Sequence, residues 1–185
     1  MALVSIWLTL AQSQAQQAHT AVVYLPQGEV TRIPSPDRKW VLVFECPHEC
    51  SERNLWLEDN TTHIRKLVNK YERSLSVSWA PDSKHFFVND ASGSNEMSCS
   101  LYDPITLKTT DVATLLTARD AGVKRFLTAG HSYLEAKYWT NSRELLVVLF
   151  GHFDDPPVVG FTLHYRVGIG GNISKISQQA EERPE

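Results

Sequence analysis

The residues best suited to chemistry lie in Gly151-His152-Phe153-Asp154-Asp155, where one imidazole and two carboxylates fall within four positions. His152, Asp154 and Asp155 are types that bind a divalent cation or exchange a proton with a substrate. The same run leads into Pro156-Pro157, and Asp-Asp-Pro-Pro is turn chemistry. The hairpin-loop reading is preferred, and no metal is assigned. His131-Ser132 near Glu135 suggests a hydrolytic pairing, but the chain has no Gly-x-Ser-x-Gly elbow to expose a nucleophile. Gly168-Ile169-Gly170-Gly171 lacks the strand-to-helix setting and spacing of a phosphate loop and reads as a turn between the last two strands. No catalytic residue is assigned, and no cofactor is called for.

Three cysteines add one more cluster. Cys46-Pro47-His48-Glu49-Cys50 offers two thiols and an imidazole, one ligand short of a closed zinc site. The alternatives are a Cys46–Cys50 bridge, favoured in an oxidising compartment, a metal, or free thiols and another pairing. Asn60-Thr61-Thr62 and Asn172-Ile173-Ser174 match the glycosylation sequon, a pattern common by chance.

The background composition is that of one ordinary domain: 185 residues, 42% hydrophobic, 21% charged, net charge −3. No basic surplus marks a nucleic-acid binder. Residues 1–18 read as a signal peptide. A short apolar run from Ala2 to Ala11 precedes a Gln/Ala-rich stretch with a cleavage site after Ala15, although no Lys or Arg comes before the run. No later stretch is long and apolar enough for a membrane helix, so the chain is not expected to span a membrane after signal removal.

What must position these groups is a repeat. Ile33-Pro34-Ser35-Pro36-Asp37-Arg38-Lys39-Trp40 aligns with Ser78-Trp79-Ala80-Pro81-Asp82-Ser83-Lys84-His85 at an interval of 81 − 36 = 45 residues. A looser third unit, Tyr138-Trp139-Thr140-Asn141-Ser142-Arg143, follows Trp79 by 139 − 79 = 60 residues, so an insertion separates them. Each unit ends an apolar strand in a Pro-Asp or Asn turn and resumes in a β-branched or aromatic strand. Polar loops then lead to Asn54–Asp59, Cys99–Tyr102 and Val158–Val167, with further strands at His63–Val68 and Leu107–Thr110. Three to four short antiparallel strands per unit are expected. Trp40, Trp56, Trp79 and Trp139 are expected in the core.

Ser35-Pro36-Asp37-Arg38-Lys39 and Trp79-Ala80-Pro81-Asp82-Ser83-Lys84 resemble the Trp-Ser-Pro-Asp-Gly-Lys signature of TolB-like β-propeller repeats. The resemblance covers roughly residues 30–176. It implies a mainly β fold of antiparallel, blade-like sheets and an exported, scaffold-like setting. Pro36, Asp37, Trp79, Pro81, Asp82 and Trp139 are then structural repeat residues. Arg38 and Ser83 replace the signature glycine, so those turns are expected to differ in detail.

Closed propellers use four to eight blades, and about three are present here, making a partial or short propeller with edges open to pairing. A helix over about 111–128, capped by Asp111, is expected to cover a sheet face. Residues 19–176 form the single domain, and 177–185 are expected to be a disordered tail. The expected function is a periplasmic or extracellular interaction module for a protein or peptide partner, a second copy of the chain being one candidate. The alternatives are a metal-dependent or hydrolytic enzyme using the 151–157 loop, and a degenerate structural fragment of a larger propeller.

Overall fold

Two turns with the same hydrogen bonds, 45 residues apart, set the architecture. The computed structural model describes residues 20–46, 53–155 and 158–182. In the first turn Arg38 N–H donates to the Ser35 carbonyl at 2.9 Å, and Lys39 N–H to Asp37 Oδ1 at 3.1 Å. In the second, Ser83 N–H donates to the Ala80 carbonyl at 2.9 Å, and Lys84 N–H to Asp82 Oδ1 at 3.1 Å. Arg38 and Ser83 have φ of 60° and 63°, the left-handed region that glycine enters without penalty. The two turns match each other in backbone and hydrogen bonds, each holding a non-glycine residue in that region.

A second pair of turns also repeats. Asp59 Oδ1 accepts from Thr61 and Thr62 N–H, and Asp103 Oδ1 from Ile105 and Thr106 N–H. His63 and Leu107, the residues that end these turns, both take positive φ. The backbone N–H groups hold both carboxyls below the usual aspartate range, with that of Thr62 strongest at Asp59 and that of Thr106 strongest at Asp103.

Between the turns run the strands. The first blade-like sheet is β2 (Val30–Pro34), β3 (Trp40–Glu45), β4 (Arg53–Asp59) and β5 (Arg65–Tyr71), antiparallel throughout. The second is β6 (Ser74–Trp79), β7 (Phe86–Ala91), β8 (Glu96–Tyr102) and β9 (Thr109–Asp111), with the short β1 (Val23–Leu25) added on β6. The third is β10 (His131–Asn141), β11 (Glu144–His152), β12 (Val159–Gly168) and β13 (Ile173–Glu182). It joins the second through a two-residue parallel contact, Ser132 to Glu96 and Tyr133 to Met97. Among the described residues no helix is long and apolar enough to cross a membrane.

Alternation along each strand buries one or both faces. Leu42, Phe44, Leu55 and Leu57 of the first sheet meet Val77, Trp79, Phe86 and Val88 of the second. The opposite face of the second sheet, with Phe87, Cys99 and Leu101, meets Leu134, Trp139, Leu145, Val147, Leu163 and Tyr165 of the third. Two seams therefore hold three sheets together. The indole Nε1 of Trp79 donates to the Ile33 carbonyl at 3.1 Å, and that of Trp139 to the Ser78 carbonyl at 3.2 Å. Ile33 and Ser78 are 45 residues apart, so the two tryptophans make the same link from each sheet to the preceding one.

The insertion is helical. Asp111 caps α1 (Val112–Arg119) by accepting from Ala113 and Thr114 N–H. A 3-10 turn (Ala121–Val123) then leads to α2 (Lys124–Leu127). Val112, Leu116, Val123 and Phe126 enter the second seam. The single helix expected near 111–128 is thus two short helices broken at Asp120, whose side chain caps the 3-10 turn, and together they cover a sheet face.

Three expectations change. Trp40 and Trp56 are half-buried, unlike Trp79 and Trp139. Trp40 opens β3 at the margin of the first seam. Trp56 lies opposite Val43 on the sheet's outer face. The tail is ordered further than its polarity suggested: β13 pairs with the full length of β12 through Glu182, because backbone pairing along an open edge needs no apolar side chains. Residues 1–18, His48 and Cys50 lie outside the described residues. Cys46 is disulfide-bonded, and Cys99 is a buried free thiol.

The outer faces of the arc are finished with charge. On the first sheet the Glu58 carboxylate, only 3% exposed, takes Arg32 Nη2 at 2.6 Å, Arg65 Nε at 2.7 Å and His63 Nδ1 at 3.2 Å. Arg65 continues to Glu45 at 2.5 Å. The Arg32 guanidinium, aided by Arg65 and His63, outweighs burial and holds the Glu58 carboxyl at about 2. On the third sheet Lys137 pairs with Glu135 and sits over the Phe150 ring, which stacks on Tyr133.

Candidate functional site

The chemistry gathers where the third sheet begins. Antiparallel register sets His131, the first residue of β10, directly opposite His152, the last of β11. Their rings stack with centroids 4.1 Å apart and planes 21° from parallel. Asp154, two residues beyond β11, folds back so that one oxygen, Oδ1, lies 3.2 Å from His131 Nδ1 and 3.4 Å from His152 Nδ1.

Two glycines permit this approach. A Cβ on Gly130 would lie 1.6 Å from Asp154 Oδ2, and one on Gly151 would lie 1.9 Å from the His131 carbonyl oxygen. The first clears the space that the carboxylate occupies. The second lets the β10 backbone close on β11 beside the histidines. Ligand atoms of His131, His152 and Asp154 all lie within 4.8 Å of one another.

Of the sequence candidates, His152 and Asp154 come together, and Asp155 is exposed on the adjoining turn. His131 replaces it as the third member, although its interval of 21 residues from His152 gave no local signal; only register pairs them. Ser132 and Glu135 belong to different surroundings. Ser132 pairs with Glu96 of β8, and Glu135 is tied to Lys137.

Beside the trio a cleft of about 340 Å³ opens between β8, β10 and the helical insertion. Its walls include Ser92, Ser98, Ala113, Ala129 and Ser132, with the larger Leu127 alongside. It exists because β8 divides its outer edge: Glu96 and Met97 pair with β10, whereas Ser100 to Tyr102 pair with β9. Ser98 falls between them. Gly130 lines the cleft and also backs the Asp154 carboxylate, so the cleft and the trio are neighbours. Asn95, another wall residue, donates its amide to the Gly130 carbonyl at 3.2 Å.

No family model matches the sequence, and no curated protein matches it. Among solved structures, TolB from Acinetobacter baumannii is similar at 14% identity and a TM-score of 0.43, over 85% of this chain and 32% of that one. An acylaminoacyl peptidase from Pyrococcus horikoshii is similar at 16% identity and a TM-score of 0.49, over 84% of this chain and 25% of that one. The chain thus spans a third or less of the length of these proteins.

Proposed function

We propose that the chain is an exported, propeller-type binding module that holds a protein or peptide partner, with an extended segment of that partner seated in the cleft between β8 and β10. The observation that carries this reading is the cleft at the second seam. Its volume suits a few residues of chain, and its lining mixes small residues that let a backbone come close with Met97, Leu127 and Leu134 as apolar contacts. Ser98 stands where β8 passes from one edge partner to the other. Export is supported by the apolar run within residues 1–18 and by the disulfide at Cys46, a bond that persists in oxidising compartments.

A peptide display library panned on the mature chain tests the binding reading. Enriched sequences should bind in solution and lose at least tenfold in affinity to Ala129→Trp, which fills the cleft. Failure to enrich, or binding indifferent to Ala129→Trp, overturns it. Export is tested separately by fusing residues 1–18 to a phosphatase active only outside the cytoplasm. An inactive fusion refutes that part.

A further inference from the structure

We infer that His131, His152 and Asp154 form a binding site for a single borderline divalent transition-metal ion, of which zinc is the type. The inference stands apart from the cleft reading and needs no partner. Bonds of about 2.0–2.2 Å to imidazole nitrogen and carboxylate oxygen place neighbouring ligand atoms about 2.8 to 3.6 Å apart, from octahedral to tetrahedral angles. The separations here, 3.2 Å and 3.4 Å from Asp154 Oδ1 to the two Nδ1 atoms, fall in that range.

Two imidazoles and one carboxylate suit zinc, cobalt, nickel or iron and are a poor match for calcium or magnesium, which take oxygen. The hairpin fixes the two histidine backbones, and rotation of the stacked rings about their side-chain bonds turns both Nδ1 lone pairs toward one ion. Both histidines sit at opposed positions of a hairpin with nine paired positions, and the carboxylate rests in a space that only glycine at 130 leaves clear. Asp154 and His131 remain 59% and 38% exposed, so an ion can enter and keep water or a partner's donor in its remaining positions. Three protein ligands with an open position is the arrangement of zinc sites that accept a further ligand.

The test is calorimetric titration of the full mature chain with zinc alone at pH 7.5, without reductant so that the Cys46 disulfide stays closed. One ion per chain is expected, with a rise of several degrees in melting temperature. His131→Asn, His152→Asn and Asp154→Asn should each weaken binding at least tenfold, and His164→Asn on the outer face should not. Circular dichroism of each variant separates lost binding from lost fold. Cobalt substitution should give ligand-field bands without thiolate charge transfer. No saturable binding, equal affinity in all four variants, or a thiolate band would overturn the assignment. Should the first three variants misfold, Gly130→Ser provides the second route: it displaces the carboxylate, and unchanged zinc affinity in a folded Gly130→Ser protein would also refute the site.

Discussion

The two seams share one plan and differ in what was added to it. The first joins sheets at the plain 45-residue interval and has an apolar centre, with Phe44 packed 5.9 Å from Tyr71. The second follows the 60-residue interval, and the extra length is the helical insertion. Where the first seam has Phe44, the second has Asn89, 45 positions on. Its buried side-chain amide accepts from Ala136 N–H at 2.9 Å and donates to the Ala136 carbonyl at 3.0 Å and to Ser76 Oγ at 2.8 Å. An amide side chain thus stands in for a neighbouring strand where the sheets diverge. This second, irregular seam carries the cleft and the histidines.

The sharpest test of the shared plan is the pair Trp79→Ala and Trp139→Ala. Each removes a buried indole and its link to the preceding sheet and should cost about 4 kcal/mol in urea unfolding. A cost below about 1 kcal/mol for one of them would break the equivalence of the seams. Next is Asn89→Leu, which imposes the apolar chemistry of the first seam on the second. It strands the Ala136 N–H and carbonyl and should cost about 2–3 kcal/mol. A neutral result would mean the seam closes without the amide bridge.

Glu58→Gln probes the outer face of the first sheet, where about 1–2 kcal/mol is expected. Its folded carboxyl lies at about 2, below the ordinary 4.5. The unfolded chain therefore takes up the proton first as pH falls. Glu58's stabilisation is complete above about pH 5 and lost on the way down to pH 2. Unfolding curves across that range should lose part of their slope in Glu58→Gln. Gly130→Ala should have the smallest effect on stability, under about 1 kcal/mol, since only the tip of a flexible, exposed Asp154 must move. Zinc affinity should nevertheless fall. A stable variant with intact affinity would detach that glycine from the site.

Much of the fold was legible because turn chemistry is local. Pro36-Asp37 and Pro81-Asp82 announce their turns, Asp111 announces a helix, and the unequal intervals announce an insertion. Contacts set by register were not legible. Nothing near His131 points to His152, and nothing near Asn89 points to Ala136, because each pairing depends on how strands slide and stack. The tail misled for a related reason: polarity argued against a buried segment, but an edge strand needs backbone pairing more than burial. The tryptophans were alike in sequence and unlike in place, since half-buried Trp56 stands on the outer face that Arg32, Glu58 and Arg65 finish with charge.

Cys99 gives the protein a built-in clock. It is fully enclosed in the second seam, and burial pushes its thiol up to about 12, so reagent and thiolate meet only when the sheets part. Under native conditions the rate of alkylation at this sulfur therefore counts openings of that one junction, with no engineered label and with Cys46 silent in its disulfide.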